Sequence, residues 1–386
     1  MKNKIIAEIE KQHAHLNDLA FQIFDKPELG DETVFASNLL KEELEKQGFT
    51  VEYAIGGLNT SYRATWSNGQ GGPNIGLMGE YDALKNQGHA CGHHMQSPAA
   101  IGAAVALKNV LGQTDTPFTI TVYGTPAEES FGGKIVMAEN GCFKELDVAL
   151  ATHAASAGTT VAGGGMALWS YRVDFYGIKA HAAGSPHKGR SASDAMLLAF
   201  NGIEFMREHV MDGTRMHYAI AENTSPSNVV CDHAVASFTL RFPDDSYLPE
   251  LDQRFRDIIK GACLMTGTTY EIKQHPAFAA GKCNYGLAEV AKENYQWLGM
   301  TTSEPFLGKS KGSSDVYNVS AVVPAVNCYI PYNGGAAHSQ EWVDAGKTTD
   351  AENCVLKSAK VLATIAYDLI TQPEKLAAVK KEFKEN

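Results

Sequence analysis

Residues 75–94 read Ile-Gly-Leu-Met-Gly-Glu-Tyr-Asp-Ala-Leu-Lys-Asn-Gln-Gly-His-Ala-Cys-Gly-His-His, and an apolar helical pattern over 99–111 follows. A short apolar run, a glycine-rich polar loop and a helix, in that order, make a β-to-α step. The step recurs. Phe118-Thr-Ile-Thr-Val-Tyr123 leads into Pro126-Ala-Glu-Glu129 and a helix from about Gly133, and Val148-Ala-Leu-Ala-Thr152 runs straight into His153. Such repetition predicts an α/β sheet with parallel strands at its centre and helices over its faces. Ligands bind such sheets beyond the carboxyl ends of the strands. Asp82, Glu128, Glu129 and His153 all fall at such ends, which predicts that they face one site.

Working outward, the helical spacing of Ile5, Ile6, Ile9, Leu16, Leu19, Ile23 and Phe24, then of Val34, Leu39, Leu40 and Leu44, predicts two opening helices. Strand-like runs follow at 50–55 and 61–66. Beyond the repeated steps the pattern changes to a strand at 170–176, a helix at 191–209, strands at 215–222 and 228–242, a helix at 245–265 and a strand at 269–273. The order β-α-β-β-α-β predicts a small antiparallel sheet with helices on one face, a ferredoxin-like α+β unit. From Gly286 the chain returns to a helix, then strands, then a long helix over 351–370. The expected fold is therefore an α/β, mixed-sheet domain formed by 1–168 and 284–386, interrupted by an inserted ferredoxin-like domain at 169–283.

With 386 residues, 44% hydrophobic and 20% charged, the chain can bury two sizeable cores. Its net charge of −11 argues against nucleic acid or an anionic membrane as the main partner. No apolar run approaches the ~20 residues that cross a bilayer, and the opening Met1-Lys-Asn-Lys-Ile-Ile shows no cleavable signal pattern. Seven cysteines without paired spacing suggest free thiols rather than a disulfide framework. These features together predict a cytoplasmic protein.

The loop Gly88-His89-Ala90-Cys91-Gly92-His93-His94 places three imidazoles and a thiol within seven residues. Thiolate and imidazole suit zinc, and imidazole also suits manganese, iron or cobalt. The adjacent carboxylates Glu128 and Glu129 can divide labour, one holding a metal while the other takes a proton from water. His153 and His338, the latter in Gly334-Gly-Ala-Ala-His-Ser-Gln-Glu341, complete a possible donor set. Taken singly, each residue has an ordinary reading as surface or satisfied core. Two other readings use the same residues. A Cys91 nucleophile with a histidine base explains the thiol and imidazoles together, but leaves Glu129, His153 and His338 idle. A non-catalytic binding member that kept the fold is expected to have lost donors, and all are present.

Along the chain, Glu80-Tyr-Asp-Ala-Leu, His-Ala-Cys-Gly-His, Pro-Ala-Glu-Glu, the strand-end His153, Lys179-Ala-His-Ala-Ala, Ser227-Asn-Val-Val and His338 occur in an order that resembles the M20 metallopeptidase and amidohydrolase family. The resemblance is to the branch of aminoacylase-like, hippurate and indole-acetyl-amino-acid hydrolases, nearest the aminobenzoyl-glutamate and β-alanyl-dipeptide hydrolases. It implies a catalytic domain carrying two divalent metal ions, Zn²⁺ or Mn²⁺, held by Cys91, His93, Glu129, His153 and His338. Glu128 is then the general base toward a metal-activated water, and Asp82 orients a ligand histidine. The inserted domain becomes a lid and dimerisation domain. It supplies His181 to the oxyanion, often from the neighbouring subunit of a homodimer, with Asn228 and Arg241 binding substrate and the loop 312–315 lining the cleft. The implied activity is hydrolysis of the amide bond of a small N-acyl or aminoacyl amino acid. Alternatives within the family are a dipeptidase or an aminobenzoyl-glutamate hydrolase. Two positions depart from the pattern: His94, where relatives often carry Asp or Asn, and Lys85, where they usually carry Pro. Both bear on substrate and metal preference, and His89 and His94 are assigned no role.

Overall fold

In chain order the strands are β1 (Thr50–Tyr53), β2 (Tyr62–Asn68), β3 (Asn74–Gly79), β4 (Phe118–Gly124), β5 (Val148–Ala155), β6 (Thr159–Gly164), β7 (Ala167–Tyr176), β8 (Arg215–Glu222), β9 (His233–Phe242), β10 (Thr269–Gln274), β11 (Thr302–Lys309) and β12 (Ala325–Pro331). The structure is a computed structural model that describes residues 1–156, 158–223, 225–309 and 312–386, with side chains throughout these except at 304–309. The chain divides into two compact units, Met1–Gly165 with Gly281–Asn386, and Met166–Ala280.

The first unit is built on an eight-stranded sheet in the order β1-β2-β4-β3-β5-β12-β6-β11. Its centre is parallel: β4 pairs with β3, β3 with β5 and β5 with β12 in one direction. Antiparallel pairs of β1 with β2, β2 with β4 and β12 with β6 make the whole sheet mixed. The central strands are apolar at nearly every position and buried on both faces, as covered parallel strands must be. One covering helix, Gln96–Leu111, is buried along almost its whole length. Its alanines admit close neighbours, and a side chain at Gly102 would collide with Leu16. The helix Thr349–Thr371 packs beside it in the same core.

Sequence periodicity missed three features here. The opening helix is two helices, Lys2–Lys11 and His13–Asp25, separated at Gln12. The Gln12 N–H bonds back to Ile9, and its amide caps the Glu8 carbonyl. Ile5, Ile9, Leu16, Leu19 and Ile23 are all buried, so the apolar stripe continues across the break and conceals it. Strand β6 was not anticipated. The chain's last segment is a full helix, Pro373–Glu385, with Leu376 and Val379 in the core, rather than a solvated helix end.

The second unit has a four-stranded antiparallel sheet, β10-β7-β9-β8, and the helices Ala192–Arg207 and Leu248–Thr266. Tyr171, Val173 and Phe175 of β7 and Ala234, Ala236, Phe238 and Leu240 of β9 share a core with both helices. These alternate residues all point to one face of the sheet. The strand expected at 228–242 starts only at His233.

Candidate metal centre

Four adjacent parallel strands, β4, β3, β5 and β12, end along one edge of the first unit's sheet. Glu80 and Asp82 follow β3, and Glu128 and Glu129 follow β4. His153 lies inside β5, opposite Tyr329 of β12, and His338 lies in the loop after β12. Two local backbone devices aim the side chains. Gly92, in left-handed conformation at φ 85°, turns the chain between Cys91 and His93. Ala127 adopts φ 69° just before Glu128, and its carbonyl is held by the N–H groups of Gly132 and Gly133. A side chain on Gly133 would come within 1.9 Å of the Pro126 carbonyl oxygen. Gly133→Ala is therefore expected to cost about 1–3 kcal/mol or more, read as a lowered midpoint of thermal unfolding by circular dichroism. An unchanged midpoint would refute this account of the turn.

Cys91 Sγ lies 3.4 Å from His153 Nε2, and His338 Nε2 lies 3.4 Å from Glu129 Oε1. His93 Nδ1 is 3.1 Å from both the Asp82 carboxylate and the Asp82 carbonyl, which makes it the donor nitrogen and leaves Nε2 as the lone-pair face. His153 Nδ1 donates likewise to the Ala154 carbonyl at 2.7 Å, presenting Nε2 to Cys91. The other Asp82 oxygen accepts the Glu129 N–H at 3.0 Å, so one buried carboxylate joins the two loops. Asp82→Ala is expected to weaken metal binding about 10–100-fold, measured by competition with a chromophoric chelator. Wild-type affinity in that variant would remove Asp82 from the site.

Three donor clusters result, each with its atoms within 4.8 Å of one another: Cys91, His93 and His153; Cys91, Glu129 and His338; and His93, Glu128 and Glu129. Neighbouring donors on one cation, at bonds of ~2.0–2.3 Å and tetrahedral or octahedral angles, stand ~2.9–3.6 Å apart. The Cys91–His153 and Glu129–His338 separations fall in that range, and Cys91 belongs to both sets. His93 Nε2 and Glu129 Oε1 are buried without a hydrogen-bond partner. The residues therefore fit a pair of cations.

The electrostatics agree. Burial pushes the Glu128 carboxyl well above the usual range, and the charges of Glu80 and Asp315 push it further. Burial also raises the Cys91 thiol, to about 12. Glu80 is opposed by burial, but the Lys134 ammonium, with His93 and His153, holds it down at about 2. Glu80, Asp82, Glu128, Glu129 and Asp315 face a single ammonium, Lys134, an excess that two divalent cations would balance.

Lys134 was not read from the sequence. It follows Gly132-Gly133 at the start of a largely apolar helix, and such an isolated cation was the available signal. It is fully buried, with Nζ 2.6 Å from Glu80 Oε1 and 2.7 Å from Asp315 Oδ1. The loop 312–315 was expected to line the cleft. Asp315 is instead buried against Lys134, because two oxygens must satisfy the ammonium and the Lys134 N–H. His89 and His94 stand outside the donor clusters. Their Nε2 atoms bond the Ile23 and Gly346 carbonyls, and both rings pack on Phe24. Lys85 is exposed in the loop between Leu84 and Gly88.

In the second unit, His181 and Asn228 come together, since the Ala182 N–H bonds the Asn228 carbonyl at 3.0 Å. The exposed His181 ring accepts the Ala183 and Gly184 N–H groups at Nδ1, which leaves Nε2 as an outward donor. Arg241, half-buried opposite Leu168, is at the far end of β9 from that loop, so the structure does not join it to them.

Carboxylate, imidazole and thiol donors gathered at strand ends, with a buried glutamate beside them, define the class as a metallohydrolase. The chain belongs to peptidase family M20/M25/M40, which matches residues 76–368, and it is a hydrolase acting on amide bonds. It is 31% identical over 400 residues to the Xaa-Arg dipeptidase of Mus musculus, covering 100% of this chain and 92% of that one. It is 30% identical over 455 residues to one of the two subunits of the p-aminobenzoyl-glutamate hydrolase of Escherichia coli K12, covering 98% and 93%. The YXEP protein of Bacillus subtilis, described as a dinuclear metal binding peptidase from the M20 family, superposes with a TM-score of 0.71 at 18% identity, covering 94% and 99%.

Proposed function

We propose that this protein hydrolyses small N-acyl or aminoacyl amino acids with two divalent cations, Zn²⁺ or Mn²⁺, and Glu128 as general base. The observation that carries the reading is the sharing of Cys91 between two donor clusters, one with His93 and His153 and the other with Glu129 and His338. Bound cations supply Lewis acidity at the scissile carbonyl and acidify a water. The chain's own groups do the rest. Glu128 takes the water proton and returns it to the leaving amine, while Asp82 keeps His93 and Glu129 in register.

The catalytic domain spans 1–168 and 284–386, and 169–283 serves as lid and dimerisation domain. From that domain His181 offers its Nε2 proton to the developing oxyanion, an interaction worth roughly 3–4 kcal/mol when aligned. The free donor nitrogen of His181 supports this role. Asn228 and Arg241 bind the substrate, with the guanidinium suited to a product carboxylate. The assembly is a homodimer in the cytoplasm, where its seven cysteines remain thiols.

The names of two relatives choose the first probes. Protein loaded with Zn²⁺ or Mn²⁺ is expected to turn over Xaa-Arg dipeptides, p-aminobenzoyl-glutamate or an N-acyl amino acid such as hippurate. Failure to cleave any of them, with both cations bound, would overturn the substrate class.

A further inference from the structure

Glu80 is absent from the donor set assigned above, yet its carboxylate lies on the donor side of His93. Because Nδ1 of His93 engages Asp82, Nε2 presents a lone pair, and Glu80 Oε2 stands 3.1 Å from it. Two acceptors repel at that separation unless a proton or a cation lies between them. The distance also matches the ~2.9–3.4 Å between nitrogen and oxygen ligands of one cation. His93 Nε2 is wholly buried and without a hydrogen-bond partner, and so points to a ligand independently of Glu80.

The surroundings of Glu80 fix it in that position and leave its charge available. Gln96 grips it twice, donating to Oε2 at 2.7 Å and accepting the Glu80 N–H at 3.3 Å. Lys134 donates to Oε1 at 2.6 Å. If Lys134 served only to neutralise Glu80, Asp315 would be superfluous. Instead Asp315 takes a second ammonium proton at 2.7 Å and the Lys134 backbone N–H at 2.9 Å. Two carboxylates thus share one cation, and the surplus negative charge sits at the edge of the cluster. Each Glu80 oxygen offers two lone-pair directions, so one partner apiece leaves capacity toward His93.

We infer that Glu80 is a further metal-facing carboxylate of this centre, and that the buried Lys134–Asp315 pair is the positioning device that presents it. The inference rests on the two-cation reading above. Its test uses Co²⁺ as probe, with affinities from chelator competition and the visible absorption spectrum of the bound metal, on intact protein whose fold is checked by circular dichroism.

Glu80→Gln is expected to weaken one of two Co²⁺ sites by roughly 10–100-fold and to change the spectrum. The double variant Lys134→Met with Asp315→Asn removes opposite charges together and leaves Glu80 ionised but unheld. It should change the spectrum in the same sense with a smaller loss of affinity. A purely structural triad would alter thermal stability and leave the spectrum alone. Wild-type affinities and spectrum in Glu80→Gln would overturn the inference. Should that variant fail to fold, an unchanged spectrum in Glu80→Asp, whose carboxylate is drawn back by one methylene, would do the same. Wild-type protein that binds no Co²⁺ would instead overturn the two-cation reading itself.

Discussion

Glu128→Gln is expected to keep both metals and to lose turnover by about 10²–10⁴-fold, a barrier increase of about 3–5 kcal/mol. The amide keeps the size and shape of the carboxylate and removes its capacity to take a proton. Glu128 lies within 4.8 Å of donor atoms of His93 and Glu129, close enough to serve a water held among them. Burial, Glu80 and Asp315 raise its affinity for a proton. Cations in the centre lower it again, and the opposing shifts leave a base poised nearer neutrality than an ordinary glutamate. The measurement is kcat with metal content determined on the same preparation. A kcat within tenfold of wild type, both metals retained, would remove Glu128 from its role.

The same variant separates the metal reading from a cysteine nucleophile. One observation favours the nucleophile: His153 Nε2 is 3.4 Å from Cys91 Sγ, a thiol–base geometry. Against it, burial raises the Cys91 thiol to about 12, whereas nucleophilic thiols are held low. A divalent cation reverses that burden by stabilising the thiolate directly. A Cys–His mechanism predicts little effect of Glu128→Gln.

How much of this was legible in the sequence follows from where each signal resides. The strand-loop-helix steps around 75–94, 118–133 and 148–153 were readable because buried parallel strands must be apolar throughout and their loops must be polar. Asp82, Cys91, His93, Glu128, Glu129, His153 and His338 could be picked out because donors at strand ends have few other uses. The break at Gln12 left no trace, since both helices bury the same stripe. Lys134 and Asp315 were opaque for a different reason. They are 181 positions apart, and a buried ion pair is a property of the tertiary structure that neither local sequence declares. The sequence likewise placed Arg241 with His181 and Asn228 by function alone, and pairing along β9 sets it at the opposite end.

Removing the metals should abolish activity, and returning Zn²⁺ or Mn²⁺ should restore it with release of about two protons per chain at neutral pH. The count comes from the metal-free centre. Cys91 is protonated there, with its thiol near 12. His93 is protonated as well: burial opposes the charge, but Glu80 and the other neighbours hold its acidity well above the usual imidazole value. Both must lose a proton to become ligands. His153, lowered by burial, is already neutral and adds nothing. The sign follows: groups raised in the metal-free form hold protons that compete with metal, so affinity climbs with pH and falls as the medium is acidified. Two linked protons make the overall binding constant change by about 100-fold per pH unit near neutrality. Calorimetric titrations of chelator-stripped protein in buffers of different ionisation enthalpy give the proton count directly. A count near zero, or activity indifferent to chelator, would mean that Cys91 and His93 are not the ligands. The Cys91–His153 contact would then have to be read as a thiol and its base.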